Sequence, residues 1–240
     1  MIKNIILALI VIFALAFWSQ HVSSSEKTDI HSSQAPVVVE LFPSQSCSSC
    51  PPADKVLTAL ARHDNVIALS CNVTYWNHLS WKDTLSRQFC TDRQRGYAAA
   101  MNSRRVYTPQ MVVNGSIEFV GSNRGKAQSA INKAAGKIKA IEISKSGNVM
   151  QVSLPEIEKG TYTLLVMGIG ESLTQDVPSS ENRGKSLHYT NPVSTLDNLR
   201  DWDGSAQTRE YEIADGLRGI SVIAQPDRYG PIVAAGKTDF

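Results

Sequence analysis

The stretch that decides the fold class is Pro36-Val-Val-Val-Glu-Leu-Phe42, followed by Ser44-Gln-Ser-Cys47-Ser-Ser-Cys50-Pro-Pro-Ala-Asp54. The first part is a short, nearly continuous apolar run of β-branched and aromatic residues, which predicts a strand buried on both faces. In residues 55–62 the apolar side chains fall on one helical face, so the strand runs into a helix through two cysteines. A second apolar run at residues 66–71 completes a β-α-β unit, whose usual handedness predicts a parallel strand pair.

Cys47 and Cys50 stand two residues apart where the strand meets the helix. A helix that begins near Cys50 directs unpaired N–H groups and its positive dipole end at the Cys47 sulfur, which favours a thiolate. A thiolate attacks disulfides, and a second cysteine one turn later can resolve the mixed disulfide. The spacing therefore favours redox activity. An inert structural disulfide is the alternative, and a zinc site would need a second ligand pair that the sequence lacks.

The remainder of the chain has two parts with different patterns. An aromatic loop at residues 75–83 precedes a predicted helix at about 86–101, and Asn114-Gly115 predicts a hairpin between two short strands. A helix at about 124–135 closes the first part. Beyond Gly136 the pattern changes to alternating segments separated by turn residues, the first at 138–144, which predicts a β-rich sandwich domain.

The first residues have the pattern of a secretory signal. Lys3 precedes an apolar run at residues 5–18, which is shorter than a membrane-spanning helix needs. We therefore predict a signal peptide at 1–24, a flexible lead-in at 25–35, and no stable membrane span after cleavage. An uncleaved anchor is the alternative. Export places the mature chain in the periplasm or outside the cell, where disulfides persist.

The composition of the 240 residues excludes several classes of protein. The net charge is +2 and 19% of residues are charged, with no basic stripe for nucleic acid or an anionic membrane. The sequence also has no glycine-rich phosphate loop, no Gly-x-Ser-x-Gly elbow and no His-Glu-x-x-His helix, which argues against common hydrolases and nucleotide-dependent enzymes.

Four separated phrases, at residues 40–54, 75–83, 107–115 and 181–184, resemble a family of secreted bacterial proteins known only as a domain of unknown function. Its N-terminal half is thioredoxin-like. The resemblance implies an α/β thioredoxin-like domain at 36–136, followed by the β-rich domain at 137–240.

The same resemblance implies roles for individual residues. Cys47 would be the exposed nucleophile, Cys50 the resolving cysteine, and Pro109 the cis residue beside them, preceded by Thr108. The sequence departs from thioredoxin at Ser46, where a tryptophan is usual, and in the Ser-Ser dipeptide between the cysteines.

Cys71 and Cys90 form a second pair, at the end of the second strand and in the following helix. A disulfide between them would pin the aromatic loop, and closing a loop of about 19 residues contributes roughly 3 kcal/mol by chain-entropy estimates. We favour this structural disulfide over a relay in which either cysteine exchanges with Cys47.

The aromatic loop places Tyr75, Trp76 and Trp81 within seven residues. We predict that they form a wall of a substrate groove, because tryptophan and tyrosine supply large contact areas at small entropic cost. The alternative is that they cover an additional hydrophobic face. A copper(I) site made of the two thiolates and His78 is less favoured, because thioredoxin-like copper-delivery proteins space their cysteines differently.

These observations predict an exported thiol-disulfide oxidoreductase without a metal or cofactor. Its partner would be a polypeptide substrate or a redox partner protein. The alternative is a redox-inert envelope binding protein on the same scaffold, since thioredoxin-like domains also serve as binding modules.

Overall fold

The structure is a computed structural model that describes residues 35–240, and these belong to one compact unit. The predicted signal peptide at 1–24 and all but the last residue of the predicted lead-in at 25–35 lie outside the described residues. The boundary predicted between residues 136 and 137 stays a prediction.

The first part of the chain forms a four-stranded sheet with three helices. The strands, in the spatial order β2-β1-β3-β4, are β1 (Val37–Phe42), β2 (Val66–Ser70), β3 (Gln110–Val113) and β4 (Ile117–Val120). The helices are α1 (Pro51–Leu60), α2 (Gln88–Ala100) and α3 (Arg124–Ala134). β1 and β2 are parallel, as the crossover through α1 predicts, and β3 is antiparallel to both β1 and β4.

β1 is buried on both faces because a different hydrophobic cluster covers each of them. Val37, Val39 and Leu41 pack in a cluster with residues of α1 and α3. Val38 and Phe42 pack in a second cluster with residues of α2. All six residues of the strand are buried, which accounts for its continuous apolar sequence.

The second part of the chain is made of strands. They are β5 (Lys139–Ala140), β6 (Glu142–Ser146), β7 (Val149–Leu154), β8 (Tyr162–Ile169), β9 (Leu173–Val177), β10 (Lys185–Tyr189), β11 (Val193–Trp202), β12 (Gln207–Glu212), β13 (Gly219–Gln225) and β14 (Ala234–Asp239). A five-stranded sheet has the order β11-β8-β13-β14-β5, and a three-stranded sheet has the order β12-β7-β6. Among the strands that the structure describes, β9 and β10 pair only with each other. Residues of the five-stranded and three-stranded sheets share one hydrophobic cluster.

The strand predicted at residues 138–144 is in fact two strands that belong to different sheets. β5 pairs with β14, whereas β6 pairs with β7. The chain changes sheets at the buried Ile141, whose N–H donates to the carbonyl of Ala235 at 2.8 Å. Gly236 permits this crossing, since a Cβ atom there would lie 2.0 Å from the carbonyl oxygen of Ile141.

A buried ionic network joins the first part of the chain to the second. Arg93 of α2 donates to Glu40 of β1 through Nε at 2.5 Å and Nη2 at 2.9 Å, and Nη2 also donates to Gln225 of β13 at 2.8 Å. Tyr97 donates to Glu40 at 2.5 Å. Because Arg93 and Glu40 are each 1% exposed, each depends on the other to compensate its lost hydration.

Candidate active site

The two cysteines lie on the loop between β1 and α1 (residues 43–50), which we call the Cys47 loop. The N–H of Cys50 donates to the carbonyl of Cys47 at 3.1 Å, and the carbonyl of Cys50 accepts the N–H groups of Ala53 and Asp54 at the start of the helix. Cys50 is the N-cap residue, and prolines occupy the first helical turn. Both cysteines are free thiols, so this loop-to-helix junction holds a dithiol at a helix N-terminus.

Cys47 has the properties of a nucleophile. Its Sγ lies 3.1 Å from Ser49 Oγ and 3.8 Å from the carbonyl oxygen of Thr108. The hydrogen bond with Cys50 is the largest cause that lowers the pKa of Cys47 to about 6, and Ser49 lowers it further, whereas burial and the Glu181 carboxylate oppose this shift. At pH 7 Cys47 is therefore mainly a thiolate.

The surroundings of Cys50 disfavour its thiolate, in contrast to those of Cys47. Burial raises the pKa of Cys50 well above its usual value, and the adjacent Cys47 raises it further. Cys50 Sγ lies 3.2 Å from Thr108 Oγ1, which donates to the carbonyl of Phe42 at 2.8 Å. The Thr108-Pro109 peptide bond is cis. The structure thus brings Cys47, Cys50 and Thr108 together, in surroundings that favour the thiolate of Cys47 and the neutral thiol of Cys50.

The exposure that the resemblance implies for Cys47 is not found. Cys47 is 2% exposed and Cys50 is fully buried. The chain that lies against the Cys47 loop comes from the connection between β9 and β10, which we call the hairpin tip (residues 178–184). Asn182 is buried in the tip and donates to the carbonyls of Gln45 and Cys47 at 2.9 and 2.8 Å.

The polar phrase at 181–184 was visible in the sequence, but its location was not. Glu181 lies 133 residues from Ser48, yet its Oε2 accepts the Ser48 N–H at 2.9 Å. The polar composition of this phrase and its resemblance to a family phrase both singled it out, but neither indicates a contact with Ser48, because a contact at that separation has no local signal.

A buried carboxyl also lies beside the cysteines. Asp54, one helical turn after Cys50, is 6% exposed, and within residues 35–240 neither of its carboxyl oxygens has a hydrogen-bond partner. Burial raises the pKa of Asp54 well above its usual value, with the charges of Asp83 and Cys47 as further causes. The Tyr189 hydroxyl of β10 is also buried without a partner, and burial raises its pKa. The helical spacing from Cys50 could have indicated Asp54, but its burial required the structure.

The aromatic loop supports the Cys47 loop from another side. Trp81 Nε1 donates to Gln45 Oε1 at 2.7 Å, and Asp83 accepts the Gln45 N–H at 2.8 Å. Tyr75 and Trp76 pack instead against the cluster on the Val38 face of the sheet, and burial raises the pKa of Tyr75 to about 12. Trp81 thus lies next to the candidate site, and a role of the three aromatic residues in binding substrate stays a prediction.

Cys71 and Cys90 form a disulfide with a Cα–Cα distance of 5.2 Å. Both residues are buried, and the bond connects the end of β2 to α2. The 19-residue separation encloses the whole aromatic loop, which includes Trp81 and Asp83. The disulfide therefore restrains the segment that supports the Cys47 loop.

Other candidate features lie apart from the cysteines. A cavity of about 410 Å³ lies along α1 and β10, with Lys55, Arg62 and Arg124 in its lining, and neither Cys47 nor Cys50 lines it. Between residues 35 and 240, no group of three or more His, Cys, Asp or Glu residues is arranged to hold a metal ion. Within the same described range, no helix is long and apolar enough to cross a membrane.

Comparison with known proteins identifies a family. A family model described as a protein of unknown function (DUF1223) matches residues 38–223. Among solved structures, the chain is similar to the crystal structure of a structural-genomics protein from Agrobacterium tumefaciens. The sequence identity is 28% and the TM-score 0.72, over 85% of this chain and 93% of that chain.

A second solved structure, a superoxide reductase from Giardia intestinalis, aligns with 14% identity and a TM-score of 0.23 over 42% of this chain and 96% of that chain. That similarity is too low to support an argument about fold or activity. A search of curated proteins returned no match.

Proposed function

This chain belongs to the DUF1223 family, whose description states no function, and we propose that it is an exported thiol-disulfide oxidoreductase. In this proposal Cys47 and Cys50 exchange disulfides with a protein partner, and Thr108 and Pro109 frame the site. The observation that carries the proposal is the pair of free thiols at the N-terminus of α1, where Cys47 Sγ lies 3.1 Å from Ser49 Oγ and Cys50 is fully buried. These surroundings lower the pKa of Cys47 to about 6 and raise the pKa of Cys50. Such a division of roles is what nucleophilic and resolving cysteines need.

In the first step the Cys47 thiolate attacks one sulfur of a partner disulfide. The partner S–S bond breaks, a mixed disulfide with Cys47 forms, and the other partner sulfur leaves as a thiolate that takes a proton from solvent. Ser49 Oγ, 3.1 Å from Cys47 Sγ, and the hydrogen bond from Cys50 stabilise the thiolate before the attack.

In the second step Cys50 loses its proton and attacks the Cys47 sulfur. The Cys47–Cys50 disulfide forms, the mixed disulfide breaks, and the partner leaves reduced. Formation of the mixed disulfide removes the negative charge of Cys47, which is one of the causes that raise the pKa of Cys50. The first step therefore favours ionisation of Cys50 for the second. When the same two steps run in reverse from the Cys47–Cys50 disulfide, they oxidise a partner dithiol.

We further propose that residues 36–136 are a thioredoxin-like domain and residues 137–240 a β-sandwich domain. The strand order β2-β1-β3-β4, with the cysteines between β1 and α1, supports the first assignment. The cluster shared by the five-stranded and three-stranded sheets supports the second. The Cys71–Cys90 disulfide supports export, because such bonds persist in oxidising compartments.

The test is to trap the first intermediate. A Cys50→Ser variant that meets a disulfide-bonded protein should accumulate a mixed disulfide through Cys47, which mass spectrometry detects as an adduct that reductant removes. A Cys47→Ser, Cys50→Ser double variant is the control and should form no adduct. If Cys50→Ser forms none although its Cys47 thiol is readily alkylated, the oxidoreductase proposal is wrong.

The low exposure of Cys47 favours a second candidate, a redox-inert binding protein. The reduction potential of the Cys47–Cys50 couple separates the two candidates. A potential between about −120 and −270 mV supports exchange, whereas a bond that stays closed below about −300 mV supports a structural disulfide. Thiol trapping in graded thiol buffers, read by mass spectrometry, measures this potential.

A further inference from the structure

The hairpin formed by β9 and β10 is hydrogen-bonded to the Cys47 loop through polar groups at its tip. Its two strands pair with no other strand in the described part of the chain. An isolated two-stranded hairpin is marginally stable in water, so its position depends on what it packs against. The strands pack through Val177, Leu187 and Tyr189 against the partly buried Trp81 and Leu85.

The base of the hairpin is attached independently of the tip. Asn191 follows β10, and its side chain donates to the carbonyl of Ala68 at 3.0 Å, while its own carbonyl accepts the N–H of Ser70 at 3.0 Å. Thr190 Oγ1 lies 2.8 Å from Thr58 Oγ1 of α1. Displacement of the tip therefore does not require the base to leave β2 or α1.

The tip itself is held by four hydrogen bonds to the Cys47 loop. Asn182 donates two of them, and Glu181 accepts a third from the Ser48 N–H. The Ser180 hydroxyl donates the fourth to the carbonyl of Ser46 at 3.3 Å. Ser180 also has a φ of 77°, a left-handed conformation that is unfavourable for a residue with a side chain. The tip is thus a strained turn held by polar contacts.

These contacts hold the tip against the main chain of Cys47 and of its neighbours Ser46 and Ser48. Attack requires access to the sulfur, and a thiolate that is 2% exposed does not have it. We propose that the hairpin tip is a gate over Cys47, held closed by Asn182 and Glu181, and that disulfide exchange requires its displacement. This inference rests on the proposed function and specifies how that site is regulated.

The groups under the gate indicate which partner opens it. Displacing the tip frees the carbonyls of Gln45 and Ser46 and the N–H of Ser48, and leaves the carbonyl of Cys47 with the Cys50 N–H as its donor. An extended polypeptide has main-chain donors and acceptors that satisfy such groups. A small-molecule disulfide has far fewer such donors and acceptors. The gate therefore favours an extended polypeptide segment that carries a disulfide.

The test measures access to Cys47 in the reduced mature protein. At pH 8, where Cys47 is mainly ionised, the rate of its alkylation by iodoacetamide reports how often the gate is open. Asn182→Ala removes two hydrogen bonds, and we expect the rate to rise about tenfold, the ratio for about 1.4 kcal/mol of lost hydrogen bonding. Ser186→Ala, on the same hairpin but bonded to Asp176 instead of the loop, is the matched control and should leave the rate unchanged.

The outcomes distinguish a failure of the gate proposal from a failure of the oxidoreductase proposal. A wild-type rate equal to that of a cysteine peptide with the same thiolate fraction, and unchanged by Asn182→Ala, overturns the gate even if Cys50→Ser traps a partner. A faster rate in Asn182→Ala with no trapped adduct supports the gate and refutes the exchange function. Should Asn182→Ala fail to fold, Ser180→Ala removes one bond of the tip and must also accelerate alkylation.

Discussion

The replacement Asp54→Asn provides a direct test of the electrostatics around the cysteines. Asp54 is 6% exposed and its carboxyl oxygens have no hydrogen-bond partner, so the folded chain strongly favours its neutral form. The pKa of Asp54 is therefore higher in the folded chain than in the unfolded chain, where it is about 3.9. Folding takes up a proton at this group, and its contribution to stability is complete below the unfolded pKa and declines as the pH rises toward the folded pKa.

The proton that Asp54 takes up on folding sets how steeply the free energy of unfolding changes with pH. Between the unfolded and folded pKa values, the wild-type free energy of unfolding falls by about 1.4 kcal/mol per pH unit relative to a chain with no titrating group at this position. The asparagine side chain of the variant does not titrate. The free energy of unfolding of the variant minus that of the wild type should therefore increase as the pH rises above about 4, by up to about 1.4 kcal/mol per pH unit, until the folded pKa of Asp54 is reached.

Guanidinium unfolding at pH 4, 5, 6 and 7 measures this difference, with the Cys71–Cys90 disulfide intact and the other two cysteines reduced. Asp64→Asn is the matched control, because Asp64 is an exposed aspartate. A difference that is flat with pH for Asp54→Asn, or no larger than that for Asp64→Asn, would refute the conclusion that Asp54 is buried in its neutral form.

Two further predictions concern other charges. The Glu181 carboxylate raises the pKa of Cys47, so Glu181→Gln should move the pH midpoint of Cys47 alkylation below its wild-type value near 6. An upward or absent shift would contradict this electrostatic assignment. Glu40→Gln should lower the free energy of unfolding by about 3–5 kcal/mol because it leaves the Arg93 charge buried without its partner, and adding Arg93→Met should recover part of that loss; urea unfolding that shows no recovery would argue against the ion pair as the cause.

Local sequence signals were sufficient for several elements of the fold. The apolar spacing at 55–62 predicted a helix, and Val56, Leu57 and Leu60 are indeed buried on one face of α1. Asn114 and Gly115 predicted a hairpin, and both have the positive φ that this turn requires, 44° and 65°. These predictions hold because hydrophobic periodicity and turn conformation depend on a few neighbouring residues.

Other elements required information from distant parts of the chain. The strand predicted at 138–144 is divided at Ile141, because its pairing partners β14 and β7 belong to different sheets. The alternation of apolar residues does not identify the sheet that a strand joins. The three aromatic residues of the loop are a second case. Trp81 donates to Gln45, whereas Tyr75 and Trp76 are partly buried against a core cluster, and their spacing in the sequence does not distinguish these positions.

The sequence by itself determined that two cysteines stand at a strand-to-helix junction, and that a disulfide-forming pair at Cys71 and Cys90 was available to enclose the aromatic loop. The tertiary structure decided the electrostatic state of the site. It buried Asp54 beside the cysteines and brought Glu181 and Asn182 onto the Cys47 loop from more than 130 residues away. The physical reason is that spacing sets which groups share a local element, whereas pKa values and access depend on burial and charge contributed by every segment packed around them.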